Sequence, residues 1–119
     1  MKKSKIVSIL SVALLMSMTL SALTASAASI SASRNGASYF TKAWTAELAT
    51  NDGKGKMKYG FNKFAIDEDF TWTIHDSNGH TAIVTRGTSN SSSDSASAGD
   101  WAKIEVTHNN VLVTYVMNY

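Results

Sequence analysis

The chain has 119 residues, with 11 basic against 9 acidic and neither cysteine nor proline. Without cysteine, disulfides, thiolate metal sites and a lipoprotein-type cysteine anchor are excluded; without proline, every peptide bond is expected trans and no sortase-type Leu-Pro signal exists. The basic excess sits at the front. With Lys2, Lys3 and Lys5 set aside, the stretch from Ala28 onward carries eight basic and nine acidic residues, a formal net charge of −1, so the charge offers no argument for binding nucleic acid or an anionic membrane.

Residues 1–27 have the layout of a signal peptide. Three lysines are followed by an apolar run from Ile6 to Leu23 and by the small residues Ala25-Ser26-Ala27. At 18 residues the run is also at the short limit for a retained membrane span. Its five hydroxyl side chains (Ser8, Ser11, Ser17, Thr19 and Ser21) and the lack of a cationic cluster after it favour cleavage after Ala27. The expected product is a secreted, extracellular protein of 92 residues with no stable membrane insertion. That length makes one domain, able to bury a working core without covalent help.

Residues 28–38 are small and polar without periodicity, a loose leader or at most one edge strand. From Tyr39 to Thr50 two patterns compete. Phe40, Trp44, Ala46 and Leu48 alternate as in a strand, while Phe40, Ala43, Trp44, Glu47 and Leu48 mark a helical face; the threonines and aromatics favour the strand. Asn51-Asp52-Gly53-Lys54-Gly55 reads as a turn. Phe70 to His75 alternates strictly, with Phe70, Trp72 and Ile74 predicted to face the core. Asn78-Gly79 is the preferred pair for a two-residue hairpin loop, which sets Ile74 opposite Ile83 on the returning strand Thr81 to Arg86.

Residues 87–100 are dominated by serine and predict a mobile connection. Trp101 to His108, the pair Asn109-Asn110 and Val111 to Tyr119 predict a second hairpin, with Val106 opposite Val113 and Ile104 opposite Tyr115. Its core stripe is Ile104, Val106, Val113, Tyr115 and Met117. The expected fold is all-β: a small antiparallel β-sandwich built from hairpins.

Catalytic patterns are lacking: there is no Gly-x-Ser-x-Gly, His-Glu-x-x-His, phosphate-binding glycine loop or EF-hand. The chain is therefore expected not to be an enzyme, and no cofactor or metal is implied. His75, Asp76 and His80 flank one turn and offer zinc-type ligands, but turn and surface polarity is the plainer reading. Asp67-Glu68-Asp69 offers calcium ligands, or a solvated run of like charges. Lys54, Lys56 and Lys58 alternate, either to meet a phosphate or to protect an edge strand. Trp44 and Trp72 fall on core-facing phases. Trp101 opens its strand on the face away from the core stripe, as a contact residue or part of a satellite cluster.

From Lys58 onward the chain resembles the lactococcin 972 family of bacteriocins. The resemblance rests on Tyr59-Gly60, Trp72, His80, Val84, Gly87, the block Ala98-Gly99-Asp100-Trp101-Ala102-Lys103 after a serine-rich stretch, and the aromatic tail Tyr115 to Tyr119. It covers about two-thirds of the product expected after cleavage, and divides the chain into a signal peptide (1–27), an N-terminal extension of uncertain structure (28–57) and a lactococcin 972-like β domain (58–119). The resemblance implies a secreted antimicrobial protein from a Gram-positive bacterium. It would block septum formation by engaging the cell-wall precursor lipid II without forming pores. The producer would carry an immunity membrane protein and a transporter. Ligand-contact candidates carried over from the family are Tyr59, Trp72, His80, Trp101 and Lys103. The rival expectation is a secreted structural or cell-surface interaction protein without enzymatic activity, which the alternating apolar strands and near-neutral charge also accommodate.

Overall fold

The computed structural model describes residues 28–35 and 40–119. The signal-peptide reading of residues 1–27 lies outside the described residues, as do residues 36–39. Eight strands follow one another: β1 (Ser29–Arg34), β2 (Trp44–Ala49), β3 (Gly55–Asn62), β4 (Glu68–His75), β5 (His80–Arg86), β6 (Asn90–Ala96), β7 (Ala102–Thr107) and β8 (Val113–Asn118). They form two four-stranded sheets, one in the order β1-β8-β5-β6 and the other β2-β3-β4-β7. Every ladder is antiparallel. The all-β sandwich expected from the alternation is the fold observed.

The core is made where the two sheets face each other. Met57, Tyr59 and Phe61 of β3 meet Val113, Tyr115 and Met117 of β8, with Phe40, Val84 and Tyr119 joining them. Ring centroids of Tyr59 and Tyr115 stand 5.0 Å apart, and Trp44 meets both edge-on at 6.0 and 5.8 Å. Ile104 and Val106 pack against this cluster, half-buried. The predicted stripe of Ile104, Val106, Val113, Tyr115 and Met117 is therefore core, but it is assembled from two sheets and not from one face of a single hairpin.

That difference recurs. β4 and β5 were expected to pair across Asn78-Gly79, and β7 and β8 across Asn109-Asn110; in both cases the chain instead passes from one sheet to the other. Positive φ, which a two-residue loop of that kind demands, falls at neither Asn78 nor Gly79. Asn110 does adopt it, at φ 56°, so its tolerance of that region is used to turn between sheets. Of the segment with two competing patterns, Trp44–Ala49 is strand: β2 pairs with β3, Trp44 opposite Phe61. Gly60 permits this approach, because a Cβ there would collide with the Trp44 carbonyl oxygen. Ser29–Arg34 forms the edge strand β1, paired with β8 from Ser29 opposite Asn118 to Arg34 opposite Val113.

The serine-rich segment is a correction. Asn90–Ala96 is not a mobile connection but the edge strand β6. It buries little apolar surface; hydroxyls take the place of packing. Thr81 and Ser95 are cross-strand partners with their hydroxyl oxygens 2.8 Å apart, and Thr85 and Ser91 repeat the arrangement at 2.7 Å. Such pairs stabilise a ladder by a few tenths of a kcal/mol to about 1 kcal/mol each. Asp94 then reaches across the seam, its Oδ2 accepting the Lys103 N–H at 2.9 Å, and ties this edge to β7 of the other sheet.

Candidate functional site

β4 points its polar residues inward. Asp69, Thr71, Thr73 and His75 are buried, while Trp72 and Ile74 lie on the outer face and are half-exposed. The expectation that Phe70, Trp72 and Ile74 face the core is thus reversed for Trp72 and Ile74, while Phe70 is buried. The inward phase is tolerated because every one of its polar groups finds a partner. Thr71 donates its hydroxyl to the Ile83 carbonyl across the sandwich at 2.9 Å. The Thr73 hydroxyl lies 2.7 Å from Nδ1 of His80. His75 accepts the N–H groups of Ser77 and Asn78 on Nδ1, which leaves Nε2 to donate to Asp52 at 2.9 Å. Asp69 accepts from Nδ1 of His108 at 2.9 and 3.0 Å.

Two of these arrangements look chemical and are structural. The His75 ring is fully buried, stacked on Tyr119 at 5.4 Å, and holds the 50–54 turn to the 76–79 turn. Asp52, also bonded by the Thr50 hydroxyl and the Lys54 N–H, is held down at about 2 by those two donors first and by His75 after them. His108 lies between Phe40 (4.3 Å, stacked) and Phe61 (5.1 Å, edge-on), and its side chain is only 4% exposed. Burial pushes the Asp69 carboxyl up, against the opposing pull of the His108 hydrogen bonds. Burial likewise pushes His80 down. The view of His75 and His80 as surface residues of a turn is therefore corrected, and so is the view of Asp67-Glu68-Asp69 as a solvated run: Asp69 is interior and Asp67 pairs with Lys63 at 3.0 Å. Among the described residues no three His, Cys, Asp or Glu side chains converge as metal ligands do.

The outer face of the β2-β3-β4-β7 sheet is a different environment. One cross-strand row runs Glu47, Lys58, Trp72 and Lys103. The Trp72 ring carries the Lys103 ammonium at 4.4 Å from its centroid and the Lys58 ammonium at 5.7 Å. Its Nε1 donates to Glu105 at 3.1 Å, and Phe70 packs beside it at 5.4 Å. In the adjoining row Lys56 stands opposite Ile74. Beyond them Lys54, Lys56, Ile74 and Asp76 line a shallow groove of about 210 Å³. β3 is an inner strand, so Lys56 and Lys58 are not guards of an edge; they supply positive charge beside an aromatic surface.

The five residues carried over from the family resemblance are divided by this geometry. Trp72 and Lys103 meet, and Lys58, noted in the sequence only as part of an alternating lysine run, completes the group. Trp101 is 40% exposed just before β7. Tyr59 and His80 face the interior, at 3% and 4% exposure. The signal for Lys58 was its equal spacing with Lys56 on a strand; the register that places it against Trp72 joins separate strands and is invisible in the pattern. Comparison with protein-family models, with curated proteins and with solved structures finds no match to this chain.

Proposed function

We propose that the protein is a secreted antimicrobial protein of the lactococcin 972 type, which acts by binding a cell-wall precursor and not by catalysis. The observation that carries this reading is the Trp72 indole held between the Lys58 and Lys103 ammonium groups on an outer sheet face. Lipid II joins a pyrophosphate to sugars and a peptide, and that combination asks for cations beside an aromatic plane. An arriving phosphate draws the two ammonium groups off the indole and opens its face to the adjoining sugar. Lys56 and the groove beyond it extend the cationic surface in the same direction. The remote polar pairs, Asp52 with His75 and Asp69 with His108, shape the scaffold and take no part.

The test is growth inhibition of a panel of Gram-positive strains by the purified protein, with septum formation scored by microscopy. Elongated cells lacking septa, and loss of the effect in Trp72→Ala and in the Lys58→Ala/Lys103→Ala pair, support the reading. Inhibition that survives both variants removes the outer face from the mechanism. Silence against every strain at micromolar dose shifts the reading to a secreted structural or cell-surface interaction protein. For that alternative the outer edges of β1 and β2, which carry no ladder partner among the described residues, are the observation in favour.

A further inference from the structure

The two ends of the sandwich are not alike. At one end lie the connections around residues 40–43, 63–67, 87–89 and 108–112; at the other, those of residues 50–54, 76–79 and 97–101. Five large apolar side chains stand exposed among the described residues, and four of them, Phe64, Ile66, Val111 and Leu112, are at the first end. Phe64 is 97% exposed, so nothing in the fold uses it, and Ile66 and Leu112 are exposed by about half, at 52% and 48%. Trp101 alone is at the other end.

These side chains are carried on loops that are bonded to one another. The His108 N–H donates to the Asp67 carbonyl at 2.9 Å, and the Gly87 N–H to the Leu112 carbonyl at 2.7 Å. The Arg86 guanidinium donates to the Thr107 carbonyl at 2.9 Å. Beneath them Phe40, Phe61, His108 and Asp69 form a packed floor. Charge follows the same axis. The connections of the apolar end hold Lys42 and the Lys63–Asp67 ion pair, a balance of one positive charge, while those of the opposite end hold Asp52, Asp76 and Asp100 against Lys54. A chain close to neutral as a whole is therefore polarised, with its positive end also its apolar one.

We infer that this end is a lipid-docking tip, whose Phe64, Ile66, Val111 and Leu112 enter the headgroup and upper acyl region of an anionic bilayer while Lys42 meets the lipid phosphates. A cluster of apolar side chains rimmed by cations is what interfacial binding requires. A second copy of the chain is the poorer occupant, because two such tips brought together would face lysine with lysine. The docking is shallow and reversible, with no strand crossing the bilayer, and it stands apart from the Trp72 face: it needs lipid alone and no cell-wall precursor. Where both operate, the tip holds the protein at the surface on which a lipid-linked ligand is displayed.

The experiment is co-sedimentation with vesicles of phosphatidylcholine alone and of phosphatidylcholine mixed with phosphatidylglycerol. The protein is used as recovered from expression of the full chain, its N-terminus read by mass spectrometry. The expected result is partition into the mixed vesicles that weakens with salt. It falls about tenfold or more in a Phe64→Ser/Ile66→Ser variant, falls in Lys42→Glu, and is unchanged in Trp101→Ser. Thermal melting of each variant checks that the fold is retained, as the exposure of Phe64 predicts. No partition into either vesicle overturns the inference, as does equal partition into both or partition indifferent to Phe64 and Ile66. Concentration-dependent self-association lost in the Phe64→Ser/Ile66→Ser variant, without vesicle binding, overturns it in favour of a second copy.

Discussion

β3 and β4 are neighbours in the same sheet, paired from Gly55 opposite His75 to Asn62 opposite Glu68, and they solve the same problem in opposite ways. β3 turns Met57, Tyr59 and Phe61 inward and lysines outward. β4 turns Asp69, Thr71, Thr73 and His75 inward and Trp72 and Ile74 outward. An apolar phase is buried by default because each such side chain gains roughly 1.5–3 kcal/mol from leaving water. β4 forgoes that gain in the core, where its hydrogen bonds replace it, and recovers part of it on the outer face, where Phe70 is buried beside Trp72. What the pair teaches is that a polar phase can be the inner one when every group on it is satisfied. The aromatic phase released by that inversion then lies on the outer face.

The sharpest way to break the comparison is to truncate one aromatic on each strand. Phe61→Ala, in the buried phase of β3, is expected to cost about 3–5 kcal/mol in chemical denaturation. Trp72→Ala, in the outer phase of β4, is expected to cost about 1 kcal/mol, mostly its cation contacts, while abolishing inhibition of target cells. Equal losses of stability would mean that Trp72 is core after all. Next in size is Asp69→Ala, which strips the buried His108 of its acceptor and is expected to cost about 3 kcal/mol. A change below about 0.5 kcal/mol there would deny that the inner phase of β4 depends on its pairing. Thr71→Val keeps shape and removes the bond to the Ile83 carbonyl; about 1 kcal/mol is expected.

The smallest effect is in the pH dependence. Burial holds His80 below its ordinary value, so the unfolded chain takes up the proton more readily. The stability this represents is complete above about pH 6.5 and is lost as pH falls through the lower folded value. Melting temperature is therefore expected to decline from pH 7 toward pH 5, and His80→Asn, which keeps an acceptor near Thr73, should flatten that slope. Asp52 acts in a lower window: its contribution is present above its ordinary value of 3.8 and is lost as pH drops toward about 2. Asp69 has the opposite sign, since its raised value makes the charged form the less favoured one as pH rises. A slope between pH 7 and 5 unaltered by His80→Asn would remove His80 from this account.

The candidate face was half legible. Trp72 and Lys103 could be named only as contacts carried over from the family resemblance, since the alternation by itself put Trp72 on a core-facing phase. Tyr59 and His80 were carried over with them and are interior, since chemical type alone does not say which side of a sheet a residue occupies. Lys58 became a partner of Trp72 only through the register of β3 on β4. Phe64 and Ile66, fully and half exposed in the loop between those strands, gave no signal as a surface, because an apolar pair in a short connection reads as ordinary packing until nothing is found to cover it.

By itself the sequence determined the class and the punctuation: alternation of period two at Phe70–His75, Thr81–Arg86 and Ala102–Thr107 demands strands, at Trp44–Ala49 it only favours one over a helix, and Asn51 to Gly55 demands a turn, because these are local properties of side-chain size and backbone freedom. Tertiary structure decided which face of β4 is inner, that β5 and β8 leave the sheets of the strands before them, and that the serines of β6 are ordered. Those outcomes depend on partners outside the strand itself: Ile83, Asp52 and His108 for β4, and the Thr81 and Thr85 hydroxyls of the preceding strand for β6. Alternation distinguishes the two faces of a strand; only the groups that meet them determine which one is buried.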